Sequence, residues 1–167
     1  MLTVTFGGDP LELKNRQLAV GDKLPDARLF DNHMTSFDIS STKGLRVFLT
    51  LPSLDTPVCD LEVRTFNQKA SELPGVTIYA VSVDLPFAQA RWCGDAHVDA
   101  VKSISDYNGA EFGRATGTFI EALALLTRAV IIVDADDTVV YIQYVPEIAD
   151  PPDYESAYAC IEQLVNG

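Results

Sequence analysis

Leu49-Thr50-Leu51-Pro52-Ser53-Leu54-Asp55-Thr56-Pro57-Val58-Cys59-Asp60-Leu61-Glu62-Val63-Arg64-Thr65-Phe66 is the stretch on which the fold turns. An apolar strand, Arg46–Leu51, runs into a proline-punctuated turn, and the turn opens a helix. Thr56 stands where an N-cap belongs, and Pro57 takes the first helical position, where a missing N–H costs little. Val63, Phe66, Ala70 and Leu73 recur at helical spacing and give the helix one apolar stripe until Pro74-Gly75 stops it. Val76–Val83 then reads as a strand buried on both faces. A strand–helix–strand unit of this length predicts a parallel pair joined by a right-handed crossover.

Working outward, Leu2–Phe6 and Pro10–Lys14 flank a glycine turn and read as an N-terminal hairpin. Ala27–Asp31 and Ser36–Ile39 form a second short pair. Pro86 opens a helix through about Asp95, Val101–Ser105 is a strand, and Gly109–Ala115 is a short helix. Arg128–Asp134 and Thr138–Val145 pair about Ala135-Asp136-Asp137, and Asp153–Val165 is an amphipathic helix. No repeat, linker or low-complexity segment interrupts the pattern, so residues 1–167 are expected to form a single α/β domain.

Composition narrows the function. The 24 acidic residues against 12 basic ones leave a formal charge of −12, which argues against nucleic acid or anionic membranes as partners. No apolar run approaches the roughly 20 residues a membrane helix needs. Met1–Gly8 has neither the basic region nor the apolar core of a secretory leader, so a cytoplasmic location is expected. Three cysteines form no even disulfide framework, and in a reducing cytosol any disulfide is expected to be transient and catalytic. Two histidines, His33 and His97, are too few and too scattered for a metal site with these cysteines, so neither metal nor cofactor is expected.

The chemistry centres on Cys59. As the third residue of its helix it meets the positive end of the helix dipole and the free N–H groups of the first turn. It precedes Val63 by four residues and so lies on the inward stripe, at the floor of a pocket. Burial penalises a thiolate unless a cation offsets it, and the acidic Asp60 and Glu62 nearby deepen the penalty. A reactive Cys59 therefore requires an arginine. Arg128 is the best placed, because it opens an apolar strand that would join the same sheet. Arg64 would point elsewhere on the helix, and Arg91 belongs beside Cys93. The plain alternative is an inert buried cysteine, since free cysteine packs as a small hydrophobe. Cys160, with Ala157, Ile161 and Leu164 on one helical face, reads as core, and position alone favours the same for Cys93.

Pro52, Thr56 and Cys59, with three residues between the first two and two between the last, resemble the signature of the peroxiredoxins. The segment Asp84-Leu85-Pro86-Phe87-Ala88-Gln89-Ala90-Arg91-Trp92-Cys93-Gly94 resembles the one that carries the resolving cysteine in the thiol peroxidases, the atypical two-cysteine peroxiredoxins. The N-terminal hairpin, Asn108–Phe112, Arg128-Ala129-Val130 and Glu147-Ile148 match as well. The resemblance implies a thioredoxin-like fold of the peroxiredoxin type with an N-terminal β-hairpin. It implies an antioxidant enzyme that reduces hydrogen peroxide and alkyl hydroperoxides.

In that scheme Cys59 attacks the peroxide and becomes a sulfenic acid. Thr56 bonds thiolate and peroxide, Pro52 shields the pocket, and Arg128 holds the thiolate and polarises the peroxide. Cys93 condenses with the sulfenic acid to an intramolecular disulfide, which thioredoxin reduces. Homodimers are the family's habit. Because Cys59 and Cys93 sit on different helices, bridging is expected to need loosening of the first turn of the Cys59 helix and of the helix end at Gly94. A thiol–disulfide oxidoreductase fits less well, lacking Cys-x-x-Cys at the helix start. A redox relay or a one-cysteine mechanism shares the first step and stays open.

Overall fold

A computed structural model describes residues 2–167. Two adjacent glycines, Gly7 and Gly8, both take positive φ, the backbone of a tight two-residue hairpin turn. They join β1 (Leu2–Phe6) to β2 (Asp9–Leu13) in antiparallel register. The pair β3 (Arg28–Phe30) and β4 (Ser36–Asp38) is shorter than the pattern predicts. Next come β5 (Leu45–Thr50), α1 (Pro57–Glu72), β6 (Val76–Ser82), α2 (Pro86–Ala96) and β7 (Val101–Ser105). The chain closes with α3 (Glu111–Thr116), a small hairpin of β8 (Phe119–Ile120) and β9 (Leu125–Leu126), then β10 (Ala129–Val133), β11 (Val139–Tyr144) and α4 (Tyr154–Asn166).

Seven of these strands make one sheet in the order β11-β10-β5-β6-β7-β3-β4. The central β5, β6 and β7 are parallel, as the two strand–helix–strand units require, while β10 and β3 flank them antiparallel. The apolar run of β6 is explained by burial on both sides. Ile78 and Ala80 enter the core under α1, α2 and α4, while Tyr79 and Val81 enter the one beneath α3. On the first face Val63 and Phe66 of α1 are fully buried, each stabilising the fold by about 1.5–3 kcal/mol. Tyr154 and Tyr158 of α4 close over Phe66 with ring centroids 5.7 and 5.3 Å away. On the second face Phe48 stacks on Tyr79 and meets Phe112 of α3.

One expectation needs correction. Leu164 is 38% exposed, so the inner face of α4 is carried by Ala157 and Ile161, with Cys160 half-buried beside them. The helix that carries Cys93 ends at Ala96, within a residue of the expected Asp95, and His97 closes it with a left-handed backbone that turns the Val98 N–H onto the Cys93 carbonyl.

Candidate active site

β5 delivers the chain into a buried corner, Leu51 and Pro52, and the loop from there to α1 buries Leu54 and exposes Asp55. Thr56 has the extended backbone of an N-cap and Pro57 is the first helical residue, as their order predicts. The Thr56 hydroxyl does not cap, however. It donates to the Ser53 carbonyl 3.2 Å away, tightening the loop instead of the helix. Val58 and Cys59 therefore keep first-turn N–H groups that the helix itself cannot satisfy. Cys59 is fully buried, in the same cluster as Leu54 and Val63.

The arginine that reaches Cys59 is Arg128, which lies at the foot of β10 and is 2% exposed. Its Nη2 donates to Cys59 Sγ at 3.2 Å, its Nη1 to Glu62 Oε2 at 3.0 Å and its Nε to the Ile148 carbonyl at 2.9 Å. Glu62, expected only to aggravate the charge problem, is instead an inward-facing partner of the same arginine, 0% exposed. Burial outweighs the attraction of Arg128 and pushes its carboxyl up to about 7. One guanidinium thus faces both the Cys59 sulfur and the Glu62 carboxyl. The Glu62 Oε1 atom and the Tyr154 and Tyr158 hydroxyls lack protein hydrogen-bond partners among the described residues. A carboxylate on an otherwise apolar stripe, Cys59–Glu62–Val63–Phe66, is the one sequence signal that could have pointed to this pairing.

Cys93 is not brought to Cys59. Its sulfur lies 3.2 Å from Ser103 Oγ on β7, and Ser103 donates onward to Asn32 Oδ1 at 3.0 Å. Burial pushes the Cys93 thiol up, and the Ser103 bond offsets this only in part. Its neighbour Trp92 faces the other way, toward α1, where the Arg64 guanidinium lies 5.6 Å from the ring centroid. Arg64 also bonds Asp60 and the Ala96 carbonyl, so it braces the two helices and stays off Cys59, as expected. Arg91 does not accompany Cys93: its side chain is 86% exposed and reaches Asp95 at 4.0 Å.

Cys59 is thus a buried thiol at a helix start, gripped by a buried arginine. The model of the redoxin family matches residues 19–158. The thiol peroxidase of Clostridium acetobutylicum is 46% identical over 154 residues, covering 92% of this chain and 94% of its own. That of Bacillus subtilis is 40% identical over 166 residues, 99% of each chain. The chain belongs to the redoxin family, among its thiol peroxidases. The solved structure of a peroxiredoxin-like protein from Aquifex aeolicus superposes with a TM-score of 0.92 at 35% identity, covering 98% of this chain and 97% of the other. A thiol peroxidase from Chromobacterium violaceum, 21% identical, shares the fold with a TM-score of 0.88 over 97% of this chain and 96% of its own. The peroxiredoxin type of thioredoxin-like fold is thereby established, with the N-terminal hairpin in place.

In this thiol peroxidase fold the hairpin has a structural task. Thr5 of β1 exchanges backbone bonds with Pro146 and Ile148, and the Glu147 carboxylate accepts from Gly7 N, Gly8 N, Ala149 N and the Thr5 hydroxyl. Those backbone bonds, from Ala149 and Gly8 first, hold its carboxyl below the usual range. Glu147 thereby clasps the hairpin turn to the segment whose Ile148 carbonyl orients Arg128. Sequence reading matched Glu147-Ile148 without giving the pair a role, because the bonds run across some 140 residues of chain.

Proposed function

We propose that this chain reduces hydroperoxides with Cys59 as the attacking thiolate, Cys93 as the resolving thiol and thioredoxin as the reductant. Membership of the thiol peroxidases makes it an enzyme of thiol-dependent peroxide reduction; the residue roles and the cycle are our reading. The observation that carries it is the 3.2 Å contact between Arg128 Nη2 and Cys59 Sγ. A cation at that distance favours thiolate over thiol, and the same fork can polarise a peroxide oxygen beside the sulfur.

The sulfur attacks one peroxide oxygen, the O–O bond breaks, and alcohol or water leaves with a proton. Thr56 donates to Ser53, which frees its lone pairs to accept from the peroxide hydroxyl and so orient it. Pro52, buried behind the loop, keeps water from the sulfur. The Cys93 thiol then attacks the sulfenic sulfur, water leaves, and a disulfide forms for the dithiol of thioredoxin to reduce. A homodimer working in the reducing cytosol fits this cycle. Among the described residues no helix is long and apolar enough to cross a membrane.

A thiol count with peptide mapping tests the reading. One equivalent of an organic hydroperoxide on reduced protein should take three thiols to one, joining Cys59 to Cys93 and leaving Cys160 free. A persistent sulfenic acid at Cys59 with two thiols left would replace the two-cysteine cycle by a one-cysteine or relay mechanism.

A further inference from the structure

We infer that Asp84 is a positioning residue that latches the Cys59 loop to the corner leading into the Cys93 helix, and that its release gates disulfide formation. The inference rests on the two-cysteine cycle proposed above. Asp84 lies just beyond β6. Its carboxylate accepts from the Ser53 hydroxyl at 2.7 Å and the Leu54 N–H at 2.9 Å, some 30 residues back in the chain. It also accepts from the Ser82 hydroxyl at 2.7 Å. The Ser82 oxygen in turn accepts from Gln89 Nε2 at 3.0 Å, and the same Nε2 donates to the Ile104 carbonyl. Gln89 is fully buried and stands one helical turn before Cys93. The Asp84 carbonyl takes the Ser105 hydroxyl as well. One side chain thus joins the loop before Cys59, the end of β6 and, through Ser82, the helix that carries Cys93.

The two sulfurs are held on separate partners, Arg128 and Ser103, and Trp92 and Ala96 of α2 pack into the core that also holds Cys59 and Val63 of α1. A disulfide needs Cβ atoms about 3.8 Å apart, so the loop and first turn of α1, or the second half of α2, must open before the bond forms. Opening the loop breaks the Ser53 and Leu54 bonds to Asp84. Hydrogen bonds to a carboxylate are stronger than neutral ones, which makes this latch a main resistance to local opening.

The latch therefore sets the fate of the sulfenic acid. With the site open, Cys93 attacks and water leaves. With the site closed, a second hydroperoxide oxidises the sulfenic acid to the sulfinic acid and is itself reduced to the alcohol. The ratio of the two products is independent of how fast the sulfenic acid formed.

That ratio is the test. Reduced protein is mixed with excess cumene hydroperoxide for a single turnover, and the Cys59–Cys93 disulfide and Cys59 sulfinic acid are quantified by mass spectrometry. Asp84→Asn should raise disulfide over sulfinic acid roughly tenfold, the effect of losing about one charge-assisted hydrogen bond. Ser53→Ala, a milder change should Asp84→Asn fold poorly, should raise it in the same direction by less. Val139→Ala, a cavity in the β11 end of the opposite core, should lower stability and leave the ratio alone, separating the latch from general loosening. An unchanged or lowered ratio in both latch variants overturns the inference. A wild-type protein that never forms the disulfide overturns the two-cysteine cycle itself, and the latch with it.

Discussion

Arg128 Nη2 sits 3.2 Å from Cys59 Sγ, and the same guanidinium places Nη1 3.0 Å from Glu62 Oε2. The fork is filled on its remaining side by the Ile148 carbonyl, so its plane has no freedom to turn. Lysine at this position would keep the charge but could not serve three acceptors in fixed directions. Arg128→Lys should lower the second-order rate constant for a hydroperoxide by about 100-fold, the size expected when one preorganised donor is lost at a reacting centre. Stopped-flow fluorescence of Trp92 would measure it. A loss under about threefold would mean that the fork does not act on the reacting atoms.

Glu62 gives a dependence of stability on pH. Its carboxyl rises from 4.5 in the unfolded chain to about 7 in the folded protein, because burial outweighs Arg128. The folded state therefore holds the extra proton between those values. This contribution is full below 4.5 and is lost as pH rises through about 7. Glu62→Gln should remove the decline. The unfolding free energy of the variant minus that of the wild type should grow by roughly 1–3 kcal/mol between about pH 5 and pH 8. Asp106, also raised by burial, to about 6, works in the same direction but is common to both proteins and cancels. Urea titrations at the two pH values give the answer, and a difference that stays constant would show that Glu62 does not titrate in this range.

What the sequence made legible was local or periodic. Pro57 at the helix start, the stripe of Val63 and Phe66, and the paired glycines of the hairpin each act within a few residues, so their elements appear where expected. Arg128 could be reached by electrostatic need, because few arginines open a buried strand. The rest depends on partners far along the chain. Glu62 meets its arginine 66 residues away, and Asp84 meets Ser53 31 residues back. The β8–β9 hairpin has only two residues per strand and is set by its packing on β2, with no period to read. The Thr56 hydroxyl had two acceptable partners, and the loop carbonyl won over the helix. The residue that closes α2, His97, is a non-glycine in the left-handed backbone, which leaves no mark in the sequence.

Gly94 offers a change opposite in sign to loosening the Asp84 latch. It lies inside α2, next to Cys93, with helical backbone, and an added Cβ would meet nothing within 4 Å. Alanine there should stabilise the helix by about 1 kcal/mol and raise Tm by about 2–4 °C. If α2 must unwind for Cys93 to reach Cys59, that stabilisation belongs to the closed state and is lost in the open one. Disulfide formation in Gly94→Ala should then slow by about fivefold, since each 1.4 kcal/mol is a factor of ten. Trp92 fluorescence after a single hydroperoxide pulse would follow the step, and thermal unfolding would confirm the stabilisation. A higher Tm with an unchanged rate would put the opening wholly on the Ser53–Cys59 side, with Cys93 attacking from an intact helix.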